Sequence, residues 1–154
     1  YRELRIKQGT WQDRKLVQSS TKVCTQCNEE FPATTEFFYP QSKGRNGLCA
    51  WCIKCTNEAT ERNRNFLRLE ALRHYSDTLI PSCACCGENR LEFLCIDHIN
   101  GDGKKHRKQV GGAGHVFYRW LRDHNYPIGF RVLCYNCNIG RARQLDKICP
   151  HKKI

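Results

Sequence analysis

Eight of the twelve cysteines fall into four pairs with two residues between them: Cys24/Cys27, Cys52/Cys55, Cys83/Cys86 and Cys134/Cys137. Two cysteines so spaced sit on one tight knuckle and converge on a tetrahedral ion, and two knuckles complete a four-cysteine zinc site. Four knuckles are hard to reconcile with a secreted disulfide scaffold, so the expectation is zinc and a reducing, intracellular compartment. A chain of 154 residues buries only a modest core unless something staples it, and two structural Zn²⁺ would be the staples. The first two knuckles, 24 residues apart, would close a unit over 22–57, and the last two, 47 residues apart, would close a second. Cys49 leaves a second register open in the first unit, because Cys49-x-x-Cys52 has the same spacing as Cys52-x-x-Cys55.

The formal charge is +11. Each zinc held by four thiolates contributes −2, so two such centres bring the holo-protein to about +7. A surplus of that size favours a polyanionic partner, DNA or RNA, though it says nothing of catalysis. No stretch approaches the roughly 18 apolar residues of a membrane span, and none resembles a signal peptide. The expectation is a soluble protein with no membrane partner. The chain opens on Tyr1 and contains no methionine, which suggests a processed or partial product and admits a phage or organellar source.

Along the chain, residues 1–21 carry Arg2, Arg5, Lys7, Arg14 and Lys15 without a clear period and read as a basic N-terminal arm. In the unit over 22–57, Phe31, Phe37, Phe38 and Tyr39 would supply a miniature core, and residues 42–47 a turn-rich loop. A linking helix over 58–79 follows, with Phe66, Leu69, Leu72 and Tyr75 as its apolar stripe. Pro81 opens the last unit, 80–154. There, residues 100–129 form an insertion whose Lys104, Lys105, His106, Arg107 and Lys108 make a dense cationic loop. A helix bearing Val116, Phe117, Trp120 and Leu121 on one face follows it and stops at Pro127. After Asn138, Ile139, Ala142 and Leu145 keep a helical period. Cys85 and Cys95 are expected to be inert thiols, and Cys149 and His151 are two donors without an obvious completion.

Two apolar runs flank the insertion. Phe93–Ile96 ends in Asp97-His98, and Phe130–Leu133 enters the last knuckle with Asn138 just beyond it. If they pair as strands, Asp97 and Asn138 can share a metal ion, with His98 beside them as a base. Here the chain resembles the HNH, or ββα-metal, endonucleases, and among them the phage recombination endonuclease VII group and free-standing phage HNH proteins. The resemblance rests on Asp97-His98 and on the Leu-Cys-x-x-Cys-Asn block at 133–138. It also takes in Cys83-Ala84-Cys85-Cys86-Gly87-Glu88, the run 97–107, Phe117-Tyr118-Arg119-Trp120-Leu121 and Cys149-Pro150-His151, about half the chain in all.

The resemblance implies an α+β, zinc-stapled protein with an N-terminal four-cysteine zinc knuckle and a C-terminal ββα-metal (HNH) domain. It places a Trp-Cys-x-x-Cys at Trp51-Cys52, which selects Cys52 and Cys55 as ligands and leaves Cys49 a free thiol. It implies a metal-dependent endonuclease hydrolysing DNA phosphodiester bonds as a homing or nicking, restriction-like or junction-resolving enzyme. His98 would be the general base, with Asp97 and Asn138 holding one Mg²⁺ or Mn²⁺. Lys104, Lys105, His106, Arg107, Lys108, Arg119, Arg141 and Arg143 would grip the nucleic acid. Asn138 stands where the family name has its last His. The middle Asn has Asn125 as its nearest candidate, and His106, His115 and His124 are alternative ligands or phosphate contacts. One such site cuts one strand, so a double-strand break would take a homodimer or two encounters. The competing reading is a nuclease-fold nucleic-acid-binding protein with a structural role in a larger DNA or ribonucleoprotein complex. A zinc-finger regulator lacks a recognition helix after the first knuckle.

Overall fold

The computed structural model describes residues 21–152 and divides the chain into two compact units at Arg62/Asn63. The basic arm expected over 1–21 lies, apart from Thr21, outside the described residues. The architecture is α+β: two small two-stranded sheets and four α-helices among the described residues. No described helix is long and apolar enough to cross a membrane.

In the first unit, β1 (Thr21–Val23) and β2 (Glu30–Pro32) pair antiparallel with Lys22 opposite Phe31. Their turn is the first knuckle, closed by Asn28 N–H on the Cys24 carbonyl at 2.8 Å with Asn28 at φ 60°. Left-handed backbone suits Asn, whose short polar side chain tolerates it. Phe38 and Leu48 fill the centre with Cys24, Cys52 and Cys55, and Phe31 stacks on Phe37 at its edge. Tyr39, expected in this core, is 39% exposed and donates its hydroxyl to Asn57 Oδ1 at 3.0 Å. Leu48 takes its place: a phenol gains more from keeping its O–H at the surface than from burial.

Helix α1 (Ile53–His74) begins on the second knuckle, earlier than the expected start, and includes Cys55. Its buried line in the second unit is Leu67, Ala71 and Leu72. Of the expected stripe, Leu72 is fully buried, Tyr75 packs against the core and Leu69 is half-buried, whereas Phe66 is 59% exposed and Leu67 is buried in its stead. Arg68 fixes that rotation by donating to the carbonyls of Leu91 and Leu94, the latter at 2.9 Å.

The second unit is built on β3 (Leu94–His98) and β4 (Phe130–Cys134), which pair antiparallel as the two apolar runs suggested, with Leu94 opposite Cys134 and His98 opposite Phe130. Every β3 residue is buried because both faces are covered. Leu94 and Ile96 pack with Val132, Phe117, Leu121, Ala71 and Leu72 in one core. On the other face Cys95 and Asp97 meet α4 (Tyr135–Ala142).

The stretch expected as a cationic loop is helix α2 (Gly103–Val110). Lysine, arginine and glutamine lose little rotamer freedom in a helix, and Gly111 caps this one in the left-handed region at φ 80°. Helix α3 (His115–Asp123) follows as expected, burying Phe117 and Leu121. Helix α4 starts at the last knuckle, with Cys134 as its N-cap accepting from Cys137 N–H. It ends at Ala142, and its buried residues are Cys137 and Arg141, whereas Ile139 and Leu145 are exposed.

Candidate active site and metal centres

The sulfurs of Cys24, Cys27, Cys52 and Cys55 all lie within 4.8 Å of one another, as do those of Cys83, Cys86, Cys134 and Cys137. These are the two sets read from spacing, and each could hold a zinc ion. Burial opposes ionisation of Cys24, but N–H groups of Cys27, Cys52 and Gln26 outweigh it and bring its thiol down to about 6. Cys83 behaves alike, burial being overcome by N–H groups of Cys134, Cys86 and Cys85 that bring it to about 7. Within the same sets, burial and neighbouring sulfurs push Cys55 up to about 12 and raise Cys137 further. Four sulfurs this close cannot all carry charge unless a cation sits among them, so these thiol sets fit a thiophilic metal.

The second set fixes where α4 begins, and through it the second site. Along α4, Asn138 and Arg141 are one turn apart and face Cys95 and Asp97, which share one face of β3. Asn138 Nδ2 donates to Cys95 Sγ at 3.3 Å, leaving the amide oxygen as its acceptor. Burial raises the Cys95 thiol, keeping it neutral beside that amide. Arg141 Nη1 donates to Asp97 Oδ2 at 2.7 Å, and Arg131 Nε, cross-strand from Asp97, reaches the same oxygen at 2.9 Å. Asp97 is 6% exposed, and two guanidinium groups bond its buried side chain.

His98 ends β3, where Gly101 N–H returns to its carbonyl at 2.9 Å. Its ring stacks on Phe117 and meets Phe130 edge-on. Nε2 lies 2.9 Å from His106 Nδ1 on α2, so one of these nitrogens donates to the other. Nδ1 faces Gly103, where an added Cβ would come within 3.0 Å of it. Burial and then the neighbouring His106 lower the His98 pKa below the ordinary imidazole value, so His98 is neutral at pH 7.

Asp97, His98 and Asn138 line one cavity of about 520 Å³, together with Lys104, Arg107 and Arg141. Its walls carry more cationic than anionic side chains, which suits a phosphate-bearing ligand. Asp97 contributes a carboxylate and Asn138 an amide oxygen to that lining, donors of the hard-oxygen kind that Mg²⁺ and Mn²⁺ prefer.

The residues expected to grip nucleic acid divide. Lys104, Lys105, Arg107 and Lys108 on α2, Arg119 on α3 and Arg143 beyond α4 are exposed. Arg141 is buried at 8% exposure, and its three nitrogens donate to Asp97 and to the carbonyls of His98, Ile99 and Lys147. It is therefore a positioning residue of the site. His106, expected as a surface contact, is half-buried against His98 and Trp120. Asn125 is exposed at φ 53° and is not among the cavity-lining residues, and His124 bonds the Trp120 carbonyl at 2.8 Å. Sequence reading missed the two arginines on Asp97, although a basic residue opposite the acid on the paired strand was a signal for one of them. It also missed Cys85, which gathers with Cys149 and His151 around Cys137. Comparison with known protein families, characterised proteins and solved structures gives no match to this chain.

Proposed function

We propose that the protein is a metal-dependent endonuclease of the HNH type that hydrolyses DNA phosphodiester bonds. One observation carries the reading: Asp97 and His98 from β3 and Asn138 from α4 converge on a single cation-walled cavity. In this reading His98 Nε2–H donates to His106 Nδ1, which leaves Nδ1 unprotonated and facing the Gly103 side. That nitrogen takes a proton from water as the water oxygen attacks phosphorus and the P–O3′ bond breaks. A neutral imidazole is the form the task needs, and burial of His98 supplies it. A divalent ion held by Asp97 and Asn138 would supply charge relief on the phosphoryl group and the departing oxygen. Arg141 keeps Asp97 aimed, while Lys104 and Arg107 hold the flanking phosphates.

A second reading, a nuclease fold retained for nucleic-acid binding alone, is favoured by one feature: both guanidinium groups fall on the same oxygen of Asp97, as in a purely structural ion pair. Conversion of supercoiled plasmid by the zinc-loaded protein with Mg²⁺ or Mn²⁺, beside His98→Ala at equal zinc content, separates the two. Cleavage by the native protein alone supports the enzyme. Salt-sensitive binding without cleavage of plasmid or branched DNA, by either protein, supports the binding role.

A further inference from the structure

Cys137 belongs to two sets of donors. Besides the four-cysteine set, its sulfur lies within 4.8 Å of Cys85 Sγ, Cys149 Sγ and a ring nitrogen of His151, all four mutually that close. His151 Nδ1 is 3.2 Å from Cys137 Sγ and 3.7 Å from Cys149 Sγ, and across the first set Cys86 Sγ is 3.7 Å from Cys134 Sγ. With Zn–S near 2.3 Å and Zn–N near 2.0 Å, ligand atoms on a tetrahedral zinc stand about 3.5–3.8 Å apart. The second set therefore has the spacing of a coordination shell, as the first does.

The two sets cannot be filled independently, because Cys137 is common to both and fully buried between them. Cys85 lies between Cys83 and Cys86 in sequence, yet its sulfur groups with Cys137, Cys149 and His151 while theirs group with Cys134 and Cys137. We propose that this unit holds a binuclear zinc cluster in which the Cys137 thiolate bridges two ions. Cys83, Cys86 and Cys134 complete one shell, and Cys85, Cys149 and His151 complete the other. The charge closes without a new cost. One zinc with four thiolates carries −2, and a second zinc arriving with two further thiolates and a neutral imidazole leaves the cluster at −2. His151 is exposed, which gives the second ion a way in, while Cys149 is buried at 8% exposure. Independently of the donors, the segment bearing Cys149 and His151 is seated on α4: an added Cβ at Gly140 would come within 3.3 Å of the Pro150 ring. The cluster thus ties the end of the described chain to the helix that carries Asn138 and Arg141.

The test is metal stoichiometry of the full chain by native mass spectrometry, with ¹¹³Cd NMR of the cadmium-exchanged protein. Cys149→Ser and His151→Ala are the variants, since both leave the four-cysteine set whole and His151 is exposed. Each variant is expected to hold one metal ion fewer than the native chain while keeping its circular dichroism. Native ¹¹³Cd spectra should show three resonances, two of them split by coupling through one sulfur and the third, from the Cys24, Cys27, Cys52 and Cys55 set, unsplit, and both variants should lose the splitting. Equal metal counts in native and variant chains would overturn the proposal. So would rapid alkylation of Cys85 and Cys149 in the zinc-loaded native protein, or an unchanged count of resonances with no coupling between any of them.

Discussion

Replacing Arg141 by methionine removes a charge while nearly keeping side-chain volume, and it separates two roles for this arginine. The guanidinium is buried, bonds Asp97 Oδ2 at 2.7 Å, and donates to the carbonyls of His98, Ile99 and Lys147 at 3.2, 3.0 and 3.2 Å. Breaking a buried ion pair by deleting one partner costs roughly 3–5 kcal/mol, because the other charge is left buried. Arg131 still reaches Asp97 at 2.9 Å and relieves part of that. Three carbonyls lose donors at about 1 kcal/mol each, less where water from the adjoining cavity replaces them. The expected loss for Arg141→Met is about 3–4 kcal/mol. Arg143→Met, two residues on and exposed, should stay within about 0.5 kcal/mol. Urea unfolding followed by circular dichroism measures both, at saturating zinc so that metal binding contributes equally to each protein. A loss below about 1 kcal/mol for Arg141→Met would return Arg141 to the surface, phosphate-gripping role. DNA affinity supplies the reverse control, since Arg143→Met should weaken binding without touching stability.

Further outcomes follow from the site. In the proposed mechanism His98 acts as the base only when neutral, and its pKa is lowered, so cleavage should be full at pH 7 and fall as pH drops through a value below 6.5. In His106→Gln one lowering influence is gone, so the acid limb of the kcat/KM profile should move to higher pH; a limb that stays put removes His106 from the site. Gly103→Ala brings a methyl within 3.0 Å of His98 Nδ1 and should cut kcat about 10-fold or more with the fold intact, and unchanged cleavage would mean that Nδ1 is not the reacting nitrogen. Lys104→Gln and Arg107→Gln should each lower the salt slope of DNA binding by about 1, the mark of one phosphate contact, and an unchanged slope would take that residue off the backbone. Manganese binding, read by electron paramagnetic resonance, should tighten at least about 5-fold when uncleavable phosphorothioate DNA is present, and equal affinity would refute the coupling of ion to substrate.

What was legible in the sequence depended on where each partner lay. The knuckles were readable because both donors of a pair lie within one turn of chain, and the β3–β4 pairing was readable because two apolar runs of equal length flank an insertion. Lys104 to Lys108 misled because a run of like charges resembles a loop, although the same side chains are good helix formers once Gly111 supplies the cap. Arg141 looked exposed on helical phase because its partner, Asp97, lies 44 positions earlier and nothing local announces a buried ion pair. Phe66 and Leu67 could not be told apart by period alone, since the choice was made by Arg68 reaching two carbonyls beyond the helix. Cys85, Cys149 and His151 belong to no spacing pattern and became a set only when Cys137 was placed among them.

The charges around Asp97 connect these observations to one another. The buried Asp97 carboxylate bonds Arg131 and Arg141 directly, and Lys104 and Arg107 also line the cavity. Without substrate the site already carries a cationic surplus, and a divalent ion added to it would meet repulsion that one carboxylate and one amide cannot offset. A phosphodiester in the cavity reverses the balance, since its oxygens pair with the lysine and arginine side chains and offer the ion further hard ligands. The arginines on Asp97 then have a consequence beyond stability. They fix the carboxylate in place, and in the proposed endonuclease the ion and the DNA strand are expected to assemble together. A site with two or three unpaired carboxylates would load its ion first, and the same Asp-His-Asn set would then cleave with a different order of binding.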